Sequence, residues 1–391
     1  MYIVDTLIQI ADKALENQNE FIRSGHNGPY HDPETPVRNR AHWLITFANV
    51  FEWTGQIKYC DAVRDLVAYI CSEEARPHGY SFHHRNKTGK DKCNGLIGQA
   101  WTFEALAKAA ACLGHEKYSE LAEQVFFQHL FNSDFGLWNR LEIDGEILRF
   151  DVTFNHQLWF AACASLHKGQ QRNTIIQRIN RFMDCLSRNL AVMDNGLIYH
   201  PIEHLIDGQQ GKECNLEANK KRFIKNASTI FRKVFFSDSY LTGEQQEKKK
   251  HKKMVYKSIG YHAFNTYAFG ILKEQIPEHP FWQSDSFKKC IDFLESEEYI
   301  NGINDNKFGF PYNPPGFEVP FSKYVLFDGE QGQNVENARY WISKQFEYCF
   351  DKNTYMMSRN NEDPVTHTAR IYEITRLPLD FLEKIEINIS L

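Results

Sequence analysis

Residues 149–159 read Arg149-Phe150-Asp151-Val152-Thr153-Phe154-Asn155-His156-Gln157-Leu158-Trp159, and the apolar run continues to Cys163. A carboxylate stands where a helix begins, and Thr, Asn, His and Gln follow within two turns. The run behind them has the composition of a buried helix. Such a helix rarely opens with so many hydrogen-bonding groups unless they are satisfied or used. The stretch therefore predicts a buried helix from Asp151 to Leu166 whose first turns line the rim of a polar cavity.

Working outward, the same arrangement recurs. Thr35-Pro36 pairs an N-cap with a proline at the first helical position, and the helix it opens runs to about Trp53, stopped by Gly55. Further helices are expected over 57–72, 94–112, 115–130, 171–189, 255–272, 281–297, 318–327, 334–350 and 363–376, and an amphipathic one over 1–20. Phe135–Trp138 and Leu141–Phe150 read as a hairpin turning at Asp144-Gly145. One set of helices begins near 36, 94, 151, 255, 318 and 363, each after a long loop. The other set, near 57, 115, 171, 281 and 334 together with the N-terminal helix, follows short links. Six long-loop helices alternating with six short-link helices predict an all-α (α/α)6 toroid, with the long loops and short β-hairpins on one face. The whole chain, 1–391, is expected to form this one domain, with a long irregular insertion at about 194–253. Pro320 makes the fifth long-loop helix the weakest in the series. Small residues such as Gly98, Ala100, Ala161 and Ala162 suit the crowded centre of a ring.

Bulk composition narrows the function classes. The formal net charge of −5 gives no basic field for nucleic acid. Nine cysteines are scattered without a CxxC pair, which suits free thiols in a reducing compartment, and the N-terminus lacks the basic region and apolar core of a signal peptide. No run reaches the ~18 apolar residues that span a membrane. A cytoplasmic protein is the expectation. GxSxG, P-loop and dinucleotide motifs are absent from the sequence, so no cofactor is expected. His83-His84 and His200…Glu203-His204 lack the spacing of a metal site, so no metal is expected either. The run Lys248–Lys253 reads as a solvated loop or as a patch that attracts a polyanion.

If the long loops share a face, the first turns of six helices converge. They would bring together Arg38, Arg40 and His42; Asn94, Gln99 and Trp101; Asp151, Asn155 and His156; Tyr261, His262 and Asn265; Glu318 and Lys323; and Asp363, His367 and Arg370, with Arg149 just upstream of Asp151. Loop aromatics (Tyr30, Tyr80, Phe82, Trp138, Phe150, Tyr199, Phe235, Tyr312) would form walls. Aromatic faces stack on the CH side of a sugar, amides and charges bind its hydroxyls, and Arg38, Arg40 or Arg149 would clamp a uronic carboxylate. Simpler readings stand beside these. Asp151 and Asp363 are in the position of helix caps, His156 and His262 of satisfied interior histidines, and the tryptophans of core.

Arg149-Phe150-Asp151-Val152-Thr153-Phe154-Asn155 resembles the Arg-x-Asp-Thr-x-x-Asn string that opens an inner helix in the six-hairpin unsaturated glucuronyl and rhamnogalacturonyl hydrolases, with one residue inserted before Thr. The resemblance extends to the helix alternation over most of the chain. It implies a hydrolase of an acidic or unsaturated oligosaccharide, with Asp151 as general acid and base and Asn155 as a positioning group. The family's second aspartate has no match, since that position reads Asn94-Gly95-Leu96. Two alternatives remain open: a sugar epimerase or isomerase of the same ring fold in which His156 and His262 exchange protons, and a noncatalytic glycan-binding or scaffold protein.

Overall fold

The computed structural model describes residues 1–202, 205 and 243–387. Six inner elements pack in sequence around an axis. Val37–Thr54 packs on Gly95–Leu113, which packs on Phe154–Ala164, and the ring continues through Gly243–Gln275 and Pro315–Leu326 to the 3-10 segment Arg370–Arg376, which returns to Val37–Thr54. An outer layer consists of Ile57–Ile70, Lys117–Gln128, Arg172–Asp184, Asp285–Phe293 with Glu297–Asn304, Val335–Cys349 and Ile3–Glu16. This is the (α/α)6 toroid. The ring is latched where the first residues meet the last. Ile3 N–H donates to Ile385 O at 3.0 Å, Ile387 N–H donates to Met1 O at 2.9 Å, and Tyr2 bridges Glu386.

Burial follows composition. Almost every residue of Gly95–Leu106 and of Phe154–Ala164 is buried, as expected for helices that are apolar all round. The outer helix Ile3–Glu16 buries Ile3, Leu7, Ile10, Ala11 and Ala14, one stripe at helical spacing. Strands β1 (Phe131–Asn132), β2 (Leu137–Leu141) and β3 (Ile147–Phe150) form an antiparallel sheet in the order β1-β2-β3. The β2–β3 turn contains Asp144-Gly145, with Gly145 at φ 91°.

Four expectations are corrected. The third inner helix starts at Phe154, so Asp151 precedes its N-cap, Thr153. The fourth starts at Gly243, and the exposed charged run Lys248–Lys253 is helical rather than a loop. Pro320 does not end the fifth helix, Pro315–Leu326. It forfeits one backbone hydrogen bond, and full burial of Phe317, Val319 and Phe321 offsets that loss. The sixth element is not one α-helix. Pro364–Ala369 is followed by 3-10 turns over Arg370–Arg376. Three residues per turn eclipse positions i and i+3, so Arg370, Glu373 and Arg376 line up on one face. Phe235, Glu203 and His204 lie outside the described residues.

Candidate active site

Asp151 sits at the junction of the second and third inner helices. Its Oδ2 accepts from His156 Nδ1 at 2.7 Å and from Leu96 N–H at 3.1 Å, and its Oδ1 accepts from Thr153 N–H at 3.2 Å. It is therefore a cap, but of the neighbouring helix. The fit requires glycine at 95. There φ is +63°, and an added Cβ would lie 2.4 Å from Asp151 Oδ2 and 2.8 Å from His156 Nδ1. Burial pushes the Asp151 carboxyl up, but His156, Arg140 and the Leu96 N–H outweigh it and hold the group well below the usual carboxylate range. Asp151 is ionised and is not a ready proton donor. The His156 side chain is 25 % exposed, and among the described residues its ring is hydrogen-bonded only to Asp151.

Arg140, from β2, donates to Asp91 Oδ2 at 2.7 Å. Asp91 also takes Arg85 at 2.9 Å and Gly95 N–H at 2.8 Å. Against burial, the two arginines and that N–H keep its carboxyl low. Asp91 thus supplies a second carboxylate beside Asp151, three residues upstream of Asn94, where the sequence alone offered none. All of its oxygens are engaged, which marks it as support for the helix terminus.

The rim is aromatic. Tyr30 and Tyr261 share a hydroxyl–hydroxyl hydrogen bond of 2.7 Å, and Tyr312 donates to Asn27 Oδ1 at 2.8 Å. The His200 ring lies 4.6 Å from that of Tyr261. Its Nδ1 has no partner, and burial together with Lys257 and His156 keeps it neutral. Deeper, His42 stacks on Tyr372 at 4.5 Å and meets the edge of Trp101 at 5.7 Å. The Arg38 guanidinium covers Trp101 at 3.9 Å and binds Glu34 at 2.9 Å and Asn27 at 3.1 Å. Both ring nitrogens of His42, both amide atoms of Asn265, Asn155 Oδ1 and the Tyr372 hydroxyl are buried without a partner. Each such group costs ~1–3 kcal/mol when left dry, and His42, Asn155, Asn265 and Tyr372 all stand on inner elements, which makes the bowl between those elements the candidate site.

Arg370 forms the floor. It reaches Glu373 and Glu318 at 2.7 Å each, Asn313 Oδ1 at 2.7 Å and Tyr312 O at 2.9 Å. Arg376 pairs with Glu104 below it.

Several sequence-predicted site residues do other work. His262 faces the outer layer, where its nitrogens meet Ile198 N–H at 3.3 Å and Cys290 O at 2.9 Å against Phe293 and Tyr299. With both nitrogens occupied, it leaves the pair first assigned to it. Arg40 lies over Tyr69 of the first outer helix at 3.7 Å. Arg149, proposed from sequence as a carboxylate clamp, is exposed on β3, and the arginine within electrostatic reach of Asp151 is Arg140 on β2. Gln99 spends its amide on Phe82 N–H, Phe82 O and Cys93 O, fastening the loop before its helix. Asn94 is a left-handed N-cap residue at φ 56°. Asp363 caps Thr366 N–H and holds His26 N–H at 2.8 Å. His367 faces Gln345 at 3.1 Å, and Lys323 binds Glu295 at 2.6 Å. Arg370 has no donor left for a substrate carboxylate. Asp151, His156, Arg38, His42, Trp101, Asn155, Tyr261 and Asn265 remain for the bowl. Sequence reading missed Arg140, Asp91, His200 and Lys257. A single lysine four residues beyond a lysine run is not distinguished from it, and His200 enters the sequence reading only as a candidate metal ligand. Among the described residues no cluster of His, Cys, Asp and Glu is arranged to hold a metal, and no helix is long and apolar enough to cross a membrane.

Buried carboxyls and histidines together set the pH dependence of stability. Asp91, Asp151 and Asp363 titrate low in the folded state, so their contribution is complete above about pH 4, the ordinary carboxylate value, and is lost as pH falls from there. Glu34, Glu318 and Glu373 are pushed up by burial, so their protonated forms favour folding, and their contribution declines as pH rises from 4.5 toward neutral and beyond. Seven buried histidines (His42, His84, His129, His167, His200, His262 and His367) are held neutral by burial, so stability is also lost as pH falls below about 6.5, where they would charge on unfolding. They outnumber the raised glutamates, so urea unfolding midpoints measured from pH 3 to 8 should fall steadily below about pH 6 and be highest above it.

No family model matches the chain. Among solved structures it is similar to a sugar epimerase from a ruminal bacterium (TM-score 0.60, 12 % identity, 96 % of this chain and 99 % of that one). It is similar to an unsaturated glucuronyl hydrolase specific for heparin (0.59, 11 %, 97 % and 95 %) and to a D-mannose isomerase (0.58, 13 %, 95 % and 96 %). At these identities the likeness is one of fold, and all three share the toroid. The archaeal glycosylation protein Q of Haloferax volcanii is 40 % identical over 367 residues, 94 % of each chain. Identity of that extent covers the whole ring, and the chain belongs to the archaeal glycosylation protein Q family.

Proposed function

We propose that the protein is an enzyme that moves a proton on a sugar held in the bowl, an isomerase- or epimerase-type reaction, with His156 as the proton-transferring group. The observation that carries this is the 2.7 Å contact of His156 Nδ1 with an ionised Asp151. It fixes the proton on Nδ1 and leaves Nε2 as the acceptor. Nε2 takes a proton from the carbon beside the carbonyl of an open-chain sugar, leaving an enediolate. Delivery of a proton to the opposite face of that carbon gives the epimer, and delivery to the neighbouring carbon, with the hydroxyl proton passed between the two oxygens, gives the ketose; the ring of His200 is the second group available for this. Aromatic faces and the unpartnered amides of Asn155 and Asn265 hold the ring and its hydroxyls.

Hydrolysis with Asp151 as acid fits less well. A glycosidase acid is a carboxyl held protonated by its surroundings, whereas Asp151 and Asp91 are both held ionised. Of the fully buried carboxyls on the inner elements and their loops that are pushed up, Glu34, Glu318 and Glu373 are each bound to Arg38 or Arg370. The glycosylation role in the name of the Haloferax relative supports a glycan or its sugar precursor as the substrate class. Incubation of the protein in D2O with a panel of hexoses, hexuronates and oligosaccharides should give an epimer or ketose carrying deuterium at the carbon next to the carbonyl. Release of new reducing ends without such deuterium would replace this reading with hydrolysis.

A further inference from the structure

Lys257 stands on the fourth inner helix at the rim. Its Nζ lies 5.2 Å from the ring centre of Tyr30, 5.5 Å from that of Tyr261 and 5.8 Å from that of Phe308. Two other ammonium groups approach the same cage, Lys90 at 6.0 Å from Tyr30 and Lys307 at 5.0 Å from Phe308. Lys90 is already neutralised by Asp32 at 2.6 Å, and Lys307 is exposed to water. Lys257 is half-buried, and among the described residues no carboxylate faces it. Rings attract a cation only weakly compared with an oxyanion. A desolvated ammonium beside two like charges is thus held against its own electrostatics.

Resting on the reading of the bowl as a sugar site, we propose that Lys257 is its anion-binding residue and that the substrate sugar carries an oxyanion, a carboxylate or a phosphate, that seats on this ammonium between Tyr30, Tyr261 and Phe308. Three further observations agree. Burial, with the repulsion of Lys90 and Lys307, brings the Lys257 ammonium down to about 8, and a bound anion would reverse that shift. His200, whose ring lies 4.6 Å from that of Tyr261, is within electrostatic reach of both Lys257 and His156, so the anion seat and the proton-transferring ring flank the same histidine. The exposed basic residues Lys250, Lys252 and Lys253 lie about one to two turns away on the same helix, where they would draw anions toward the rim. Arg38 is by contrast committed to Glu34 and Asn27, Arg370 to Glu318 and Glu373, and Arg140 to Asp91.

Titration calorimetry of the full chain with glucuronate, glucose 6-phosphate and glucose tests this. One or both anionic sugars should bind at least ~10-fold tighter than glucose, and which of the two is preferred identifies the oxyanion. Lys257→Met should weaken the anionic sugars by roughly ten- to a hundredfold while moving glucose by less than about threefold, and Lys257→Arg should restore most of the loss. Equal binding of all three sugars, measurable binding by none of them, or an equal effect of Lys257→Met on charged and neutral sugars would overturn the proposal. If Lys257→Met does not fold, the wild-type preference decides. It should shrink as salt is raised, and a salt-independent preference counts against Lys257. These readouts are binding constants, so failure of the deuterium assay with the anion preference intact removes the proton-transfer reading alone.

Discussion

Replacing Arg370 by methionine should cost the fold about 3–5 kcal/mol, the usual penalty for breaking a buried ion pair from one side. The guanidinium is the only described cation within hydrogen-bonding distance of both Glu318 and Glu373, at 2.7 Å from each. All three side chains are buried. Two carboxyls converge on one cation and burial pushes both up, so the pair retains one proton between them. Two consequences separate this account from a simple loss of packing. Glu318→Gln mimics the protonated form, keeps an acceptor for Arg370, and should cost less than about 1 kcal/mol. The triple change Arg370→Met, Glu318→Gln, Glu373→Gln should recover much of the loss, because no buried charge is then left alone. Denaturant melts of the three variants give the numbers. Failure of the triple variant to recover would assign the loss to side-chain shape instead.

His156→Ala and Asp151→Asn should each lower turnover by ~10²–10⁴, the usual contribution of a positioned acid–base group. The two effects should not add, since the carboxylate acts through the ring. Asp151→Asn keeps an acceptor for the Thr153 N–H but loses the charge that fixes the His156 tautomer. His156→Ala leaves the Leu96 and Thr153 contacts intact and should stay folded with a nearly unchanged unfolding midpoint. A double variant no worse than either single one, with sugar binding retained, is the pattern expected of a dyad. Additive losses that track the folded fraction would return Asp151 to the role of a cap. His200→Gln is predicted to affect turnover more than binding, and His262→Gln stability more than either, because His262 is packed against Phe293 and Tyr299 outside the bowl.

The alternation of long and short links was legible because it is written in strong punctuation. Thr35-Pro36 and Asp363-Pro364 mark helix starts, Gly55 and Gly114 mark ends, and the inner helices are apolar on all sides. Ring closure was legible from the count of elements, and the contact of residues 1–3 with 385–387 completes it. Side-chain direction was harder to read. A first-turn residue can face the axis or the outer layer, and a rotation of about 100° per residue decides between them. Arg38 and His42, four apart, face the bowl, whereas Arg40, midway between them, turns to Tyr69. His262 follows Tyr261 by one residue and points into a different layer for the same reason. Arg140 rather than Arg149 comes within reach of Asp151 because adjacent strands, not sequence neighbours, meet the helix terminus. The ionised state of Asp151 could not be read at all, since Arg140 and Leu96 approach it from 11 and 55 residues away along the chain.

The 3-10 winding of Arg370–Arg376 imposes a constraint of its own. At roughly 2.0 Å per residue, the six steps from Arg370 to Arg376 span about 12 Å of depth, against about 9 Å in an α-helix. The segment thus behaves as a stretched charged ruler that reaches from Glu318 near the bowl to Glu104 beneath it. Relaxing it to α geometry would swing Glu373 off the line and pull one arginine away from its carboxylate. A one-residue insertion or deletion here would shift every rung at once. Evolution can lengthen the surface loops of this ring freely, but along these seven residues it can change side chains only one for one.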